Sequence, residues 1–261
     1  MKYKYIFLIV LGISIFSGAT MLVTMQSNSS PLKLIVKSNK ETYKLGEIVH
    51  LSFELKNISS KDAFIGEVFG VGGGSLTVHV SKDSKNFPEY SPGWGIVDFS
   101  PQATLIKPNK SIATSASVLW HLKPNALDGE SNEVINEVGK KKLLTTYAFP
   151  EPGNYFVKAI FRNNLESEPI QITIEKPQGE DLEVWNKIKD DGNFAYFIQI
   201  NDFLIPSYKT EEREKFKQKV EKIINTYPNS FYAQSLRQSL EKFNANQAKR
   251  QEFLQKLEKQ N

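Results

Sequence analysis

The sequence predicts an antiparallel β-sandwich followed by a separate helical unit, with an apolar segment in front of both. Three observations carry this expectation. Between Leu32 and Ile174, apolar residues recur at every second position in short runs divided by turn residues. After Pro177 the apolar spacing lengthens to that of a helix. Residues 1–24 read MKYKYIFLIVLGISIFSGATMLVT, with two lysines ahead of an apolar run and no polar face.

Composition narrows the function classes. The 261 residues are 40% hydrophobic and 24% charged, the balance of a chain that buries a core. The formal net charge is +4, and two of the positive charges, Lys2 and Lys4, belong to the leading segment. A balance so close to neutral gives no electrostatic basis for binding nucleic acid. The chain has no cysteine, which excludes disulfides, thiolate nucleophiles and sulfur-ligated zinc. His50, His79 and His121 lie far apart, and none falls in a metal-binding spacing. No cofactor and no metal are expected.

The elements follow in order. The apolar run from Tyr5 to Val23 approaches the ~20 residues that span a bilayer. Ser17-Gly18-Ala19 is a small-residue site of the kind signal peptidase cuts. Residues 1–24 are therefore a cleaved signal, cut after Ala19, or an uncleaved anchor, and either places the remainder outside the cytoplasm. Residues 25–31 form a polar linker. Leu32 to Val36 is the first strand. Val49, Leu51, Phe53 and Leu55 alternate with polar residues in the second. Leu76, Val78 and Val80 alternate again, as do Ile112 to Trp120. Thr145 to Asn164 (TTYAFPEPGNYFVKAIFRNN) carries two runs separated by Pro150, Pro152 and Gly153, a tight connection between antiparallel strands. The second of these runs has the clearest alternation in the chain and belongs at the centre of a sheet. Ile170, Ile172 and Ile174 close the β region.

About seven strands with turns between them and no helical period define a sandwich of immunoglobulin-like type over residues 32–176. Residues 177–261 are helical. Leu182, Trp185 and Ile188 share one face, with Trp185 placed to seal the helices to the sandwich. Asp190-Asp191-Gly192 ends that helix. Thr210 caps a helix with a stripe of Phe216, Val220, Ile223, Ile224 and Tyr227, and Ser230 caps the next.

Tyr43-Lys44-Leu45-Gly46-Glu47-Ile48-Val49, Glu54-Leu55-Lys56-Asn57 and Pro152-Gly153-Asn154-Tyr155 resemble stretches of bacterial exported immunoglobulin-like and fibronectin-like domains. The two-part pattern is also similar to that of bacterial proteinase inhibitors of sandwich fold. Residues 223–233 resemble the helix boundary of tetratricopeptide repeats, here a single one and hence a helical hairpin. The immunoglobulin-like resemblance implies that Tyr155 buries its ring and bonds its hydroxyl to nearby backbone.

No stretch forms a catalytic set. Gly72-Gly73-Gly74 lacks the order of a phosphate loop, and Asp190-Asp191-Gly192-Asn193 lacks the ligand spacing of a calcium loop. Phe87 to Trp94 (FPEYSPGW) is the loop best suited to binding, with Tyr90 and Trp94 as its candidate residues. The expected function is that of an exported, non-catalytic binding or adaptor protein of the cell envelope. In that reading the β region recognises a protein or glycan, the helical tail engages a partner, and the membrane is touched only through residues 5–23, if that segment is left uncleaved. A proteinase inhibitor is the alternative, and a hydrolase with an unrecognised site the third reading.

Overall fold

The computed structural model describes residues 30–72, 75–91, 103–122, 133–135, 141–143, 145–205 and 208–258. The leading segment and most of the linker lie outside them. Among the described residues no helix is long and apolar enough to cross a membrane.

Fifteen strands are described. The first five are β1 (Leu32–Ser38), β2 (Thr42–Lys44), β3 (Val49–Asn57), β4 (Ala63–Ile65) and β5 (Leu76–Ser81). Then come β6 (Glu89–Tyr90), β7 (Thr104–Ile106), β8 (Ser111–Val118), β9 (Trp120–Leu122) and β10 (Glu133–Ile135). The last are β11 (Lys141–Leu143), β12 (Thr145–Tyr147), β13 (Gly153–Phe161), β14 (Leu165–Glu166) and β15 (Ile170–Glu175). Four helices follow: α1 (Gly179–Ile188), α2 (Gly192–Ile200), α3 (Thr210–Thr226) and α4 (Phe231–Glu258).

A three-stranded sheet runs β1-β3-β8, and a larger sheet runs β2-β15-β13-β5-β6 with β14 also on β13. The strongest alternations become the central strands of the two sheets, β3 in the first and β13 in the second. Val49, Leu51, Phe53 and Leu55 of β3 are all buried, as are Tyr155, Val157, Ala159 and Phe161 of β13. β13 pairs antiparallel with β5 on one side and β15 on the other, so it does run through the middle of its sheet. The Tyr155 hydroxyl donates to the Glu151 carbonyl at 2.9 Å, the local bond expected of it.

The fold class is corrected in three respects. The large sheet is mixed, because β2 runs parallel to β15, and three further two-stranded ladders stand apart, β4–β7, β9–β12 and β10–β11. The fold is thus mixed sheets with helices and not an immunoglobulin-like antiparallel sandwich. Second, the runs on either side of Pro150 do not pair with each other. β12 pairs with β9 while β13 enters the large sheet; across the turn the contact is side chain on side chain, Phe149 edge-on to Tyr155 at 5.2 Å. Third, the helices are neither separate nor a hairpin: strand and helix residues make one continuous buried cluster. The expected signal or anchor helix lies outside the described residues.

The helix–sheet junction shows why the third correction holds. Gly46 has φ +77, a conformation that disfavours side chains, and a Cβ there would lie 2.4 Å from Cζ3 of Trp185. Trp185 stacks on Tyr232 of α4 at 5.7 Å and meets Tyr147 of β12 edge-on at 4.8 Å. The Tyr232 hydroxyl donates to the Leu45 carbonyl. Asp181 of α1 pairs with Lys44 of β2 at 2.7 Å, and its other oxygen accepts from the Phe231 N–H at 2.7 Å and the Ser230 hydroxyl at 3.0 Å. One carboxylate thus ties a strand to the start of α4, where negative charge is favoured.

Two helix ends complete the picture. α1 stops at Ile188, just before Asp190-Asp191-Gly192 as expected, and Asp191 in addition caps α2, accepting from the Asn193 N–H at 3.1 Å. Thr210 is the first helical residue of α3, and Lys209 occupies the cap position without a side-chain bond.

Candidate functional site

A cleft of about 370 Å³ opens at the β6 edge of the large sheet. Its position follows from the turn joining β5 to β6. Asp83 builds that turn: its Oδ1 accepts from the Ser81 hydroxyl and from the Lys85 and Asn86 N–H groups, each at 2.9 Å, and its Oδ2 from the Asn86 amide at 2.8 Å. These bonds, the backbone ones of Asn86 and Lys85 foremost, hold the Asp83 carboxyl far below the usual carboxylate range.

The floor is apolar and aromatic: Val80, Pro88, Tyr90, Ala148 and Tyr155. The Tyr90 ring is 3% exposed and stacks on His121 with centroids 5.6 Å apart. Its hydroxyl donates to the Trp120 carbonyl at 2.7 Å and accepts from the Gln199 amide at 3.3 Å. Burial pushes that hydroxyl up to about 12. His121 Nδ1 lies 3.1 Å from the Ser91 N–H and 3.3 Å from the Ser91 carbonyl, so Ser91 holds this edge of the ring. Burial also lowers the His121 pKa, favouring the neutral ring.

The rim is exposed and polar. Lys82 pairs with Glu151, whose carboxylate raises the lysine pKa and is itself held low by the ammonium. The same ammonium lies 5.5 Å from the centroid of the Tyr155 ring. Asn86 and Glu89 complete the rim.

Of the two residues the sequence singles out, Tyr90 lies in this cleft as part of its buried floor, and Trp94 lies outside the described residues. His121 and Tyr155 join Tyr90 from distant parts of the chain. His50 and His79 are elsewhere: His50 bonds the Ser117 hydroxyl at 3.1 Å, and His79 the Phe87 carbonyl at 2.9 Å. Among the described residues no group of His, Asp and Glu is arranged to hold a metal ion.

Gln199 is the residue that sequence reasoning passed over. Its Oε1 accepts from the Leu119 and Trp120 N–H groups at 2.9 and 2.7 Å, at the break between β8 and β9. It thereby satisfies two backbone donors released by the interrupted ladder and fixes Tyr90 from behind. The signal was present: Gln199 is the one uncharged amide inside an otherwise apolar turn, Phe197-Ile198-Gln199-Ile200.

No protein-family model matches the chain, and no curated protein does. Among solved structures, a β-glucosidase from Erythrobacter marinus aligns at 13% identity and a TM-score of 0.29, over 55% of this chain and 15% of its own. A β-glucosidase from Listeria innocua aligns at 14% and 0.28, over 56% and 16%. An alkylpurine DNA glycosylase from Pseudomonas fluorescens, bound to DNA containing an abasic site analog, aligns at 10% and 0.28, over 56% and 31%. The chain spans less than a third of the length of each. Similarity at this level carries no argument about fold or function.

Proposed function

We propose that this protein is an exported, non-catalytic binding protein whose β5–β6 cleft recognises a neutral glycan. One observation carries the reading. The groups in the cleft best suited to proton transfer or nucleophilic attack are already engaged by the protein's own atoms. Tyr155 is bonded to Glu151, Tyr90 to Trp120 and Gln199, His121 to Ser91, Asp83 to its own turn and Lys82 to Glu151. What the cleft offers a ligand is an apolar floor and a rim of acceptors, the Asn86 amide oxygen and the Glu89 carboxylate. Sugars present apolar C–H faces and many hydroxyl donors, which match that combination. Asp83 and Glu89 disfavour anionic ligands at the same place. Export rests on the lysine-led apolar run of residues 1–24.

A glycan array probed with the full chain tests this. Retention of a subset of neutral glycans, lost on Asn86→Ala/Glu89→Ala with the unfolding midpoint unchanged, is the expected result. A chain that retains no glycan, or whose binding survives that double substitution, overturns it, and selective retention of peptides instead moves the cleft to protein recognition.

A further inference from the structure

A second cavity, of about 330 Å³, lies where α1, α2 and α3 meet and shares no residue with the β5–β6 cleft. Its apolar wall is made by Phe194, Ile223 and Tyr227, and its mouth by Lys187, Lys219 and Lys222. Phe194 and Ile223 are buried while the three lysines are exposed. We propose that this cavity binds a small free organic anion that joins an apolar body to a phosphate or carboxylate head.

The argument rests on how differently the lysines of α3 are used. Lys215 pairs with Glu211 at 2.6 Å, and Lys217 lies 3.9 Å from Glu221. Lys219 and Lys222 have no ion-pair partner among the described residues. The sequence denies them one: positions 215, 216, 218, 223, 225 and 226, one turn away on either side, hold no acid. The two sit three residues apart, so their ammonium groups repel across one face, a cost that an anion between them removes. Lys187 joins them from α1, with its ammonium 5.7 Å from the centroid of the Tyr227 ring.

The acid in this lining, Asp191, has Oδ1 engaged by Asn193, which donates from its N–H at 3.1 Å and its side-chain amide at 2.6 Å. Three cations against that one carboxylate leave the mouth positive. The macrodipole of α3 does not account for the lysines, because its last turn holds no basic residue. The volume sits at the lower end for small-molecule sites, about 300–1,000 Å³, and suits a single ring or branched chain with its charged head at the mouth.

Calorimetric titration of the full chain with phenyl phosphate, inorganic phosphate and benzyl alcohol separates the head from the body. Phenyl phosphate is expected to bind at least about tenfold more tightly than either fragment. Lys219→Gln/Lys222→Gln should weaken it by about tenfold or more, and Lys215→Gln/Lys217→Gln, which removes the same charge from the paired lysines, should leave it within about twofold. Equal loss in both double variants, no loss in the first, or inorganic phosphate binding as tightly as phenyl phosphate overturns the proposal. Sedimentation with phosphatidylglycerol vesicles without any binding of phenyl phosphate also overturns it, by assigning these lysines to a lipid surface.

Discussion

The helix–sheet junction and the rim of the β5–β6 cleft use the same residue types to opposite ends. Each has a lysine–carboxylate pair beside a tyrosine. At the junction the Asp181 side chain is 14% exposed and serves Lys44, Ser230 and Phe231 at once. At the rim the Glu151 side chain is 69% exposed and its carboxylate serves Lys82. Burial and shared partners make the first arrangement costly to disturb, while solvent and salt make the second cheap. The chain therefore concentrates its cooperativity where strands meet helices, and keeps its exposed polar groups adaptable where a ligand would enter.

Trp185→Ala breaks the junction hardest. It removes a ring packed between Gly46, Tyr147 and Tyr232 and should cost about 3–5 kcal/mol. Gly46→Ala attacks the same contact from the other side, through overpacking and an unfavourable φ, and should cost about 2–4 kcal/mol. Denaturant unfolding followed by circular dichroism should show strand and helix signals lost together in both variants. Two separated transitions, with the strand signal at its original midpoint, would mean that sheets and helices are independent bodies after all.

Asp181→Asn is the next step down and adds a pH dependence. Burial pushes the Asp181 pKa up, but the Lys44 ammonium, the Phe231 N–H and the Ser230 hydroxyl outweigh it and leave the carboxyl below its ordinary value of 3.8. A carboxylate depressed in the folded state stabilises it fully above the unfolded value, and that contribution drains away as pH falls through the folded value. The wild type should therefore exceed Asp181→Asn at pH 7, by less than it exceeds Trp185→Ala, and the gap should close below about pH 4. A gap that persists unchanged at low pH would show that the asparagine fails for steric reasons and that the charge is incidental.

How much of this could be read beforehand depended on the range of the interactions. The alternation in β3 and β13 identified buried faces correctly, because burial of every second residue is written locally. The parallel pairing of β2 with β15 was not legible: Thr42-Tyr43-Lys44 is short, and its direction is fixed only when Leu45 bonds the Glu175 carbonyl. The Pro150–Gly153 turn was visible, yet the partners of the strands it joins were set elsewhere, by β9 and β5. The fused core had a visible trace in Trp185 and Tyr232, two large aromatics on helices that a small separate hairpin has little means to bury. At the cleft, Tyr90 stood out within its own loop. His121 and Tyr155 did not, since what makes them neighbours is the sheet and not their sequence context.

The smallest effect should come from Lys82→Gln, and it is the sharpest test of the contrast between the two regions. The substitution removes the ammonium that pairs with Glu151 and lies over the Tyr155 ring. It leaves untouched the bonds that fix the floor, because the Tyr155 hydroxyl still donates to the Glu151 carbonyl and accepts from its N–H. Both charged side chains are solvent-exposed, and there an ion pair gives back in side-chain ordering most of what it gains in attraction. The unfolding midpoint should therefore stay within experimental error of wild type, in low salt and in high. The glycan binding proposed for the cleft, in contrast, should respond, since an uncompensated Glu151 adds its charge beside Asp83 and Glu89. A stability loss as large as that of Asp181→Asn would show that the rim is part of the scaffold, and the separation between a rigid junction and an adaptable cleft would fail.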